Sequence, residues 1–192
     1  MDAKGYIDSL HMKLDETIVS GIYMESAGYR NGFDSLIGFF ETIKKNESQV
    51  FFAGNGGSAA IATHMTADFM KNGGVKTISL YDPAILTCLG NDYGYEYVFS
   101  KQLERLAGKN DLLVAISSSG ESQNIINAIG AMKGKGATVL SLTGFDPDNT
   151  VRKSSDVCIY VPSKKYGIIE SIHNLILQHV VDELMELHGS GY

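Results

Sequence analysis

The stretch Val50–Met70, VFFAGNGGSAAIATHMTADFM, decides the reading of this chain. It opens on an apolar run, Val50–Ala53, long enough for one buried strand. It then passes through a polar turn, Gly54–Ser58, and continues in a helical pattern carrying His64 and Asp68. A strand that runs through a glycine turn into a helix is a recurrent phosphate-binding device. Glycine lets the backbone come close to an anion, and the free N–H groups of the first helical turn point at it. Asn55, Gly56, Gly57 and Ser58 are the residues so placed. Such a turn also serves as a plain connection, so a ligand reading needs a second feature.

The whole chain sets the bounds. With 192 residues and 44% hydrophobic content, it is long enough for one domain with a full core. No apolar run approaches bilayer length, and the start, MDAKGYIDSLHMK, lacks the apolar centre of a secretory signal. The formal net charge of -6 argues against a nucleic-acid partner. Cys88 and Cys158 are far apart inside apolar stretches, which predicts buried free thiols in a reducing compartment. The expectation is a cytoplasmic protein without membrane or nucleic-acid contacts.

Ahead of the first strand, Asp2–Lys45 reads as two helices. Ile7, Leu10, Leu14 and Ile18 form one apolar stripe, and Phe33, Leu36, Ile37, Phe40 and Ile43 form another, with a break around Gly28–Gly32. Five strand candidates follow: Gln49–Ala53, Thr77–Leu80, Asp111–Ile116, Ala137–Leu142 and Val157–Val161. Helical patterns lie between and after them, at Ser58–Met70, Tyr95–Leu106, Gln123–Met132, Thr150–Ser154 and Ile168–Leu187, and the tail His188–Tyr192 is expected to fray. Apolar strands without alternation, separated by helices, imply an α/β fold with a parallel sheet covered on both faces. No repeat, linker or low-complexity tract divides the chain, so residues 1–192 read as one domain. Residues 1–45 form its helical pair and 46–187 its α/β core with the last helix.

The second feature is Val114–Ile126, VAISSSGESQNII, which reads strand, serine turn, helix. Ser117, Ser118, Ser119 and Ser122 offer hydroxyl donors beside the amides of a helix start, a phosphate cradle that needs no lysine. It lacks the glycine–lysine pair of a P-loop and the spacing of a dinucleotide fingerprint. Ser122 also reads simply as an N-cap. Two such turns at the carboxyl ends of parallel strands favour a ligand, because open sheets bind ligands along that edge.

GNGGSAA at Gly54–Ala60, GNDYG at Gly90–Gly94, ISSSGES at Ile116–Ser122, SLTG at Ser141–Gly144 and VPS at Val161–Ser163 together resemble the sugar isomerase (SIS) domain family. Within that family the chain is most similar to the phosphoheptose isomerase branch, over nearly its whole length. The resemblance implies a flavodoxin-like three-layer sandwich with a five-stranded parallel sheet, and a homotetramer with sites between subunits. It implies interconversion of sedoheptulose 7-phosphate and glycero-manno-heptose 7-phosphate for bacterial surface heptose synthesis, at a site that generally holds zinc. Ser58, Ser117, Ser118, Ser119 and Ser122 match the family's sugar-phosphate positions. Asn55 and Asp82 match positions that contact the sugar.

The catalytic end departs from the family. His64 and Asp68, four residues apart, share a helix face. The family presents a histidine and a glutamate there, the glutamate serving as metal ligand and base. On the last helix the family places a glutamine, then two histidines, the second catalytic. The matching residues here are Glu170, His173 and Gln178. His179 is adjacent, but a helix turns about 100° per residue, so it faces away from Glu170. An aldose–ketose isomerisation needs a base for carbon, an acid or metal at the oxygens and a grip on the phosphate. Asp68 or Glu170 fits the base, whereas glutamine does not shuttle protons at neutral pH. His64, Asp68, Glu170 and Gln178 form a one-nitrogen, three-oxygen metal set, harder and more anionic than the family's; zinc is the expected ion, but its preference is weaker there and manganese or another divalent ion becomes credible. Two alternatives stand beside the heptose reading. One is isomerisation or epimerisation of another phosphosugar; the other is a non-catalytic binding role, as in a family member that associates with the replication initiator protein.

Overall fold

Buried, non-alternating strands dictate the architecture. In the computed structural model, which describes residues 2–22 and 24–189 apart from the Met24 side chain, β3 (Val50–Gly54), β5 (Leu112–Ser117), β6 (Thr138–Thr143) and β7 (Val157–Tyr160) are buried almost throughout. Such strands are covered on both faces and pair in parallel. With the two-residue edge strand β4 (Thr77–Ile78), they form the expected five parallel strands in the order β7-β6-β5-β3-β4. Side chains of alternate residues feed two cores. Phe52, Val114, Ile116 and Leu142 lie under α2 (Tyr29–Lys45), α3 (Gly57–Lys71) and α8 (Tyr166–His188). Phe51, Leu113, Ala115 and Val139 lie under α5 (Ser100–Leu106) and α6 (Gln123–Gly134).

The N-terminal segment corrects the sequence expectation. Helix α1 (Ala3–Asp15) ends before Ile18, which instead opens a hairpin of β1 (Ile18–Gly21) and β2 (Met24–Gly28). This hairpin adds antiparallel to β7, making seven strands in the order β2-β1-β7-β6-β5-β3-β4. The run Thr17-Ile18-Val19 is β-branched, and that stiffness favours a strand over a helix end. Gly21 permits the pairing, since a Cβ there would lie 2.6 Å from the Asp156 carbonyl oxygen. The expected break around Gly28–Gly32 narrows to Gly28, the N-cap position of α2, because Gly32 lies inside that helix against Val19.

Helix α4 (Pro83–Tyr93) falls where no helix was expected. Its start was legible, for Asp82 caps it by accepting the Ile85 N–H at 3.0 Å and Pro83 occupies the first turn. Tyr95–Tyr97 is a 3-10 turn, so the expected Tyr95–Leu106 helix begins only at Ser100. Helix α7 (Thr150–Ser154) stands as read. Both cysteines are free, but only Cys158 is buried; Cys88 is exposed on α4. His188 closes α8 instead of fraying, Gly189 is left-handed, and residues 190–192 lie outside the described residues. Among the described residues no helix is long and apolar enough to cross a membrane.

One core residue carries a pH dependence. His173 of α8 is fully buried, and burial pushes its imidazole pKa down to about 4 while its ring bonds the Thr143 carbonyl at 3.2 Å. The unfolded chain protonates this ring near pH 6.5, whereas the folded chain resists until about pH 4. The unfolded state therefore binds more protons across that window, and stability falls as pH drops through it, by up to about 3 kcal/mol. Urea unfolding at pH 7, 5.5 and 4 is expected to show this loss. Much of the dependence should vanish in His173→Gln, and an unchanged slope in that variant would count against the assignment.

Candidate active site

Two turns at the carboxyl edge of the sheet meet across the β3–β5 seam. Gly54 ends β3, and only glycine fits there, because a Cβ would lie 2.6 Å from the Ser58 carbonyl oxygen. Strand β4 pairs with β3 only at Val50 and Phe51, so the upper edge of β3 lacks a strand neighbour. The Tyr81 hydroxyl substitutes, accepting the Gly54 N–H at 2.7 Å and donating to the Gly54 carbonyl at 2.8 Å. Burial raises the phenol pKa and keeps that proton in place. Gly56 then takes a positive φ of 56°, and α3 starts at Gly57 with no side-chain cap. The Ala59 amide bonds the Gly56 carbonyl, and no side chain among the described residues caps the Gly57 and Ser58 amides ahead of it, which suits them to a ligand.

The second turn carries Ser117–Ser122 from β5 into α6. Ser117 and Ser118 are buried, and the Ser118 hydroxyl has no hydrogen-bond partner among the described residues. Ser122 occupies the N-cap position of α6, yet its side chain makes no capping bond. A buried hydroxyl without a partner costs free energy unless something else satisfies it. Glu121, the acid within the turn, points elsewhere: its carboxylate accepts the Thr150 N–H and hydroxyl, each at 2.8 Å. Asn55 and Asn124 join the two turns, each amide donating to the other at 2.9 and 2.8 Å.

Between the turns lies a cavity of about 160 Å³ lined by Asn55, Ser58, Ile116, Ser117, Ser118, Ser119, Ser122, Tyr166 and Glu170. The serines expected at a phosphate therefore share one small chamber that contains no lysine or arginine. Glu170, one turn into α8, is the one acid among its described lining residues. Its carboxylate packs on Gly57, where a Cβ would lie 2.7 Å from Glu170 Cδ. Asp82 does not line the chamber; it caps α4.

The expected catalytic residues separate into two groups. Asp68 follows Gly57 by eleven residues, about 16 Å along α3 at 1.5 Å per residue. His64 and Asp68 do meet, Nε2 to Oδ2 at 3.3 Å, with the His64 side chain more than half exposed. Helices α3 and α8 run in parallel: Glu170 abuts Gly57 at one end, and Leu184 lies near Gly73 at the other. Gln178, eight residues beyond Glu170, is therefore about 12 Å down α8, level with His64 and Asp68. Its amide donates to Asp182 at 3.3 Å. Among the described residues no group of three or more His, Cys, Asp and Glu side chains converges as a metal site. One chain thus supplies a cradle with Glu170 and, separately, the His64–Asp68 pair on α3, with Gln178 at a similar height on α8.

His179 takes no part in either. Its ring stacks on Phe33 at 3.7 Å between centroids, and its Nδ1 lies 2.6 Å from the Tyr29 hydroxyl. Lys164 and Lys165 are exposed. Sequence reasoning missed Tyr81, Tyr95, Asn124 and Tyr166. Asn124 lay two residues past the serine turn and was open to notice; the phenols carry no sequence signature.

The cradle makes a separable prediction. Replacing Ser118 by alanine removes a buried unsatisfied hydroxyl, so the free protein is expected to hold its stability or gain up to about 1 kcal/mol. The rise in Tm produced by inorganic phosphate should shrink at the same time. An undiminished phosphate effect would remove Ser118 from the site.

Known proteins resemble this chain at the level of both sequence and fold. Residues 34–144 match the SIS domain. Phosphoheptose isomerase of Sulfurimonas denitrificans is 34% identical over 93% of this chain and 97% of its own length. The phosphoheptose isomerase of Aneurinibacillus thermoaerophilus is 39% identical over 75% of each. Among solved structures, phosphoheptose isomerase from Neisseria gonorrhoeae superposes with a TM-score of 0.80 at 29% identity, covering 95% of both chains.

Proposed function

The chain belongs to the SIS domain family, in its phosphoheptose isomerase branch, and we propose that it isomerises sedoheptulose 7-phosphate to D-glycero-D-manno-heptose 7-phosphate. The observation that carries this reading is the chamber itself. The unpartnered Ser118 hydroxyl and the uncapped start of α6 at Ser122 suit a phosphate, and the Glu170 carboxylate lines the same chamber. Such a product suits bacterial surface heptose synthesis, including lipopolysaccharide. A sugar phosphate is charged and does not cross a bilayer unaided, which supports a cytoplasmic place of action.

The reaction moves one proton between adjacent carbons. With the phosphate held by Ser117, Ser118, Ser119, Ser122 and the start of α6, the reacting end of the sugar is directed toward Glu170. Holding both ends in register supplies the entropic part of the rate. Glu170 takes a proton from C1, the C–H electron pair becomes the enediolate C=C bond and the carbonyl π pair moves onto the C2 oxygen; the C1 hydroxyl proton then passes to that oxygen, and the carboxyl returns its proton to C2 as the C1–O π bond forms. Gln178 is a hydrogen-bond partner or oxygen ligand and carries no proton.

The His64–Asp68 pair and Gln178 enter from another copy of the chain. A chamber of about 160 Å³ is smaller than usual ligand sites, which run to about 300 Å³ and above, so one chain encloses only part of the sugar. Ile85, Tyr93, Tyr95 and Tyr97 form an exposed apolar surface around α4, suited to a subunit contact. We infer a homo-oligomer, a tetramer as the family resemblance implies, in which His64, Asp68 and Gln178 of one copy face the chamber of another. Those three with Glu170 fit a divalent metal, zinc or manganese, only as such a composite. When bound, the metal would polarise substrate oxygens as a Lewis acid.

The test is to incubate the purified protein with sedoheptulose 7-phosphate, with zinc, with manganese and with chelator, following aldose formation by NMR. Metal-dependent turnover supports the proposal. Clear binding without turnover would contradict it and favour a binding role, and turnover of a different sugar phosphate would redirect the substrate assignment.

A further inference from the structure

The amide of Asn55 is almost fully committed before any ligand arrives. Its Oδ1 accepts twice, from the Tyr95 hydroxyl at 2.8 Å and from Asn124 Nδ2 at 2.8 Å. One hydrogen of its Nδ2 goes to Asn124 Oδ1 at 2.9 Å. An amide has two lone pairs and two N–H bonds, so both lone pairs and one N–H are used. A single N–H remains, on a residue that lines the chamber shared by the serine cradle and Glu170. Asn124 is buried, which fixes one side of this arrangement. Tyr95 fixes the other from the 3-10 turn, with its ring largely exposed.

We propose that Tyr95 is a positioning residue that makes Asn55 a donor, and only a donor, toward a substrate oxygen. The inference rests on the isomerase reading and assigns that oxygen. When a base removes the carbon-bound proton, the electron pair of the C–H bond becomes the enediolate C=C bond. The former carbonyl π pair moves onto oxygen, which takes up negative charge. A preset N–H aimed at that oxygen bonds it more strongly in the transition state than in the ground state, and such interactions raise kcat. No oxidant or reductant is involved, because aldose and ketose are isomers. Without the phenol, Oδ1 has a free lone pair and the amide can turn to bond a substrate hydroxyl as an acceptor instead.

Tyr95→Phe keeps the ring and deletes the hydroxyl. The expected result is a fall in kcat of about tenfold or more, with KM changed less than about threefold. Because Tyr95 acts through Asn55, adding Tyr95→Phe to Asn55→Ala should cost little further. A wild-type kcat in Tyr95→Phe, or an equal loss in the Asn55→Ala background, would overturn the inference. A second readout is independent of turnover. With asparagine-selective 15N labelling, the Asn55 side-chain resonances, assigned by their absence in Asn55→Ala, should show two inequivalent, slowly exchanging hydrogens. In Tyr95→Phe that exchange should speed up, and identical exchange in both proteins would overturn the locking even if the wild type proved not to be an isomerase. Absence of wild-type turnover alone would instead count against the isomerase reading.

Discussion

Glu170→Gln is expected to lower turnover by about a hundredfold or more, the usual scale for losing a positioned general base. Glutamine keeps the length, shape and hydrogen-bonding reach of glutamate, so the side chain still packs on Gly57 and the chamber keeps its form. What it lacks is a place for a proton. The substitution should also tighten binding of inorganic phosphate, because it removes the one acid among the chamber's described lining residues, which include no lysine or arginine. The pairing of slower turnover with tighter phosphate binding separates lost chemistry from a damaged fold. If Glu170→Gln turns over like the wild type, Glu170 serves as a ligand or spacer and Asp68 becomes the base.

Gly120→Ala is expected to destabilise the protein by about 3–5 kcal/mol, among the largest effects of a single methyl group. Gly120 turns the serine loop with a φ of 69°, a region that costs a residue bearing Cβ about 1–2 kcal/mol. A Cβ there would also collide with the Asn149 amide and lie 2.6 Å from Asn149 Cβ. Asn149 cannot easily yield. It is 1% exposed, donates to the carbonyls of Gly144 and Asp146 at 3.2 and 2.7 Å, and caps α7 by accepting the Arg152 N–H at 2.9 Å. Gly130→Ala is the control: it lies inside α6 with open space around its Cβ position, and alanine there should gain up to about 1 kcal/mol. Urea midpoints for the two variants should move in opposite directions. A loss below about 1 kcal/mol at Gly120 would show that the serine loop relaxes freely.

The parallel core and the serine-lined chamber were legible because local chemistry decides both. Val50–Ala53 and Leu112–Ile116 have no polar residue to turn outward, so they are strands covered on both sides wherever they sit. The serine and glycine turns follow those strands directly, and chain continuity places them at one edge. The hairpin at Ile18–Gly28 was missed because Ile18 completes a helical stripe with Leu14; only the pairing with β7, remote in sequence, outweighs that local signal. Tyr81 and Tyr95 were invisible for a similar reason. Each acts on a partner tens of residues away, Gly54 and Asn55, and nothing in a lone tyrosine shows its partner. The candidate catalytic residues were singled out by type, but their grouping depends on height along α3 and α8. Spacing within each helix was readable, whereas the contact of Glu170 with Gly57, which sets one helix against the other, was not.

The central claim is that one working site draws Glu170 from one copy and Asp68 from another, and subunit complementation tests it most directly. Asp68→Ala and Glu170→Ala proteins, each inactive alone, would be unfolded together in equal amounts, refolded and assayed with sedoheptulose 7-phosphate. Random assortment of subunits that share sites predicts recovery of about a quarter of wild-type activity. Activity no greater than that of the separate variants would contradict the account, since it would mean that every site draws both carboxylates from a single chain.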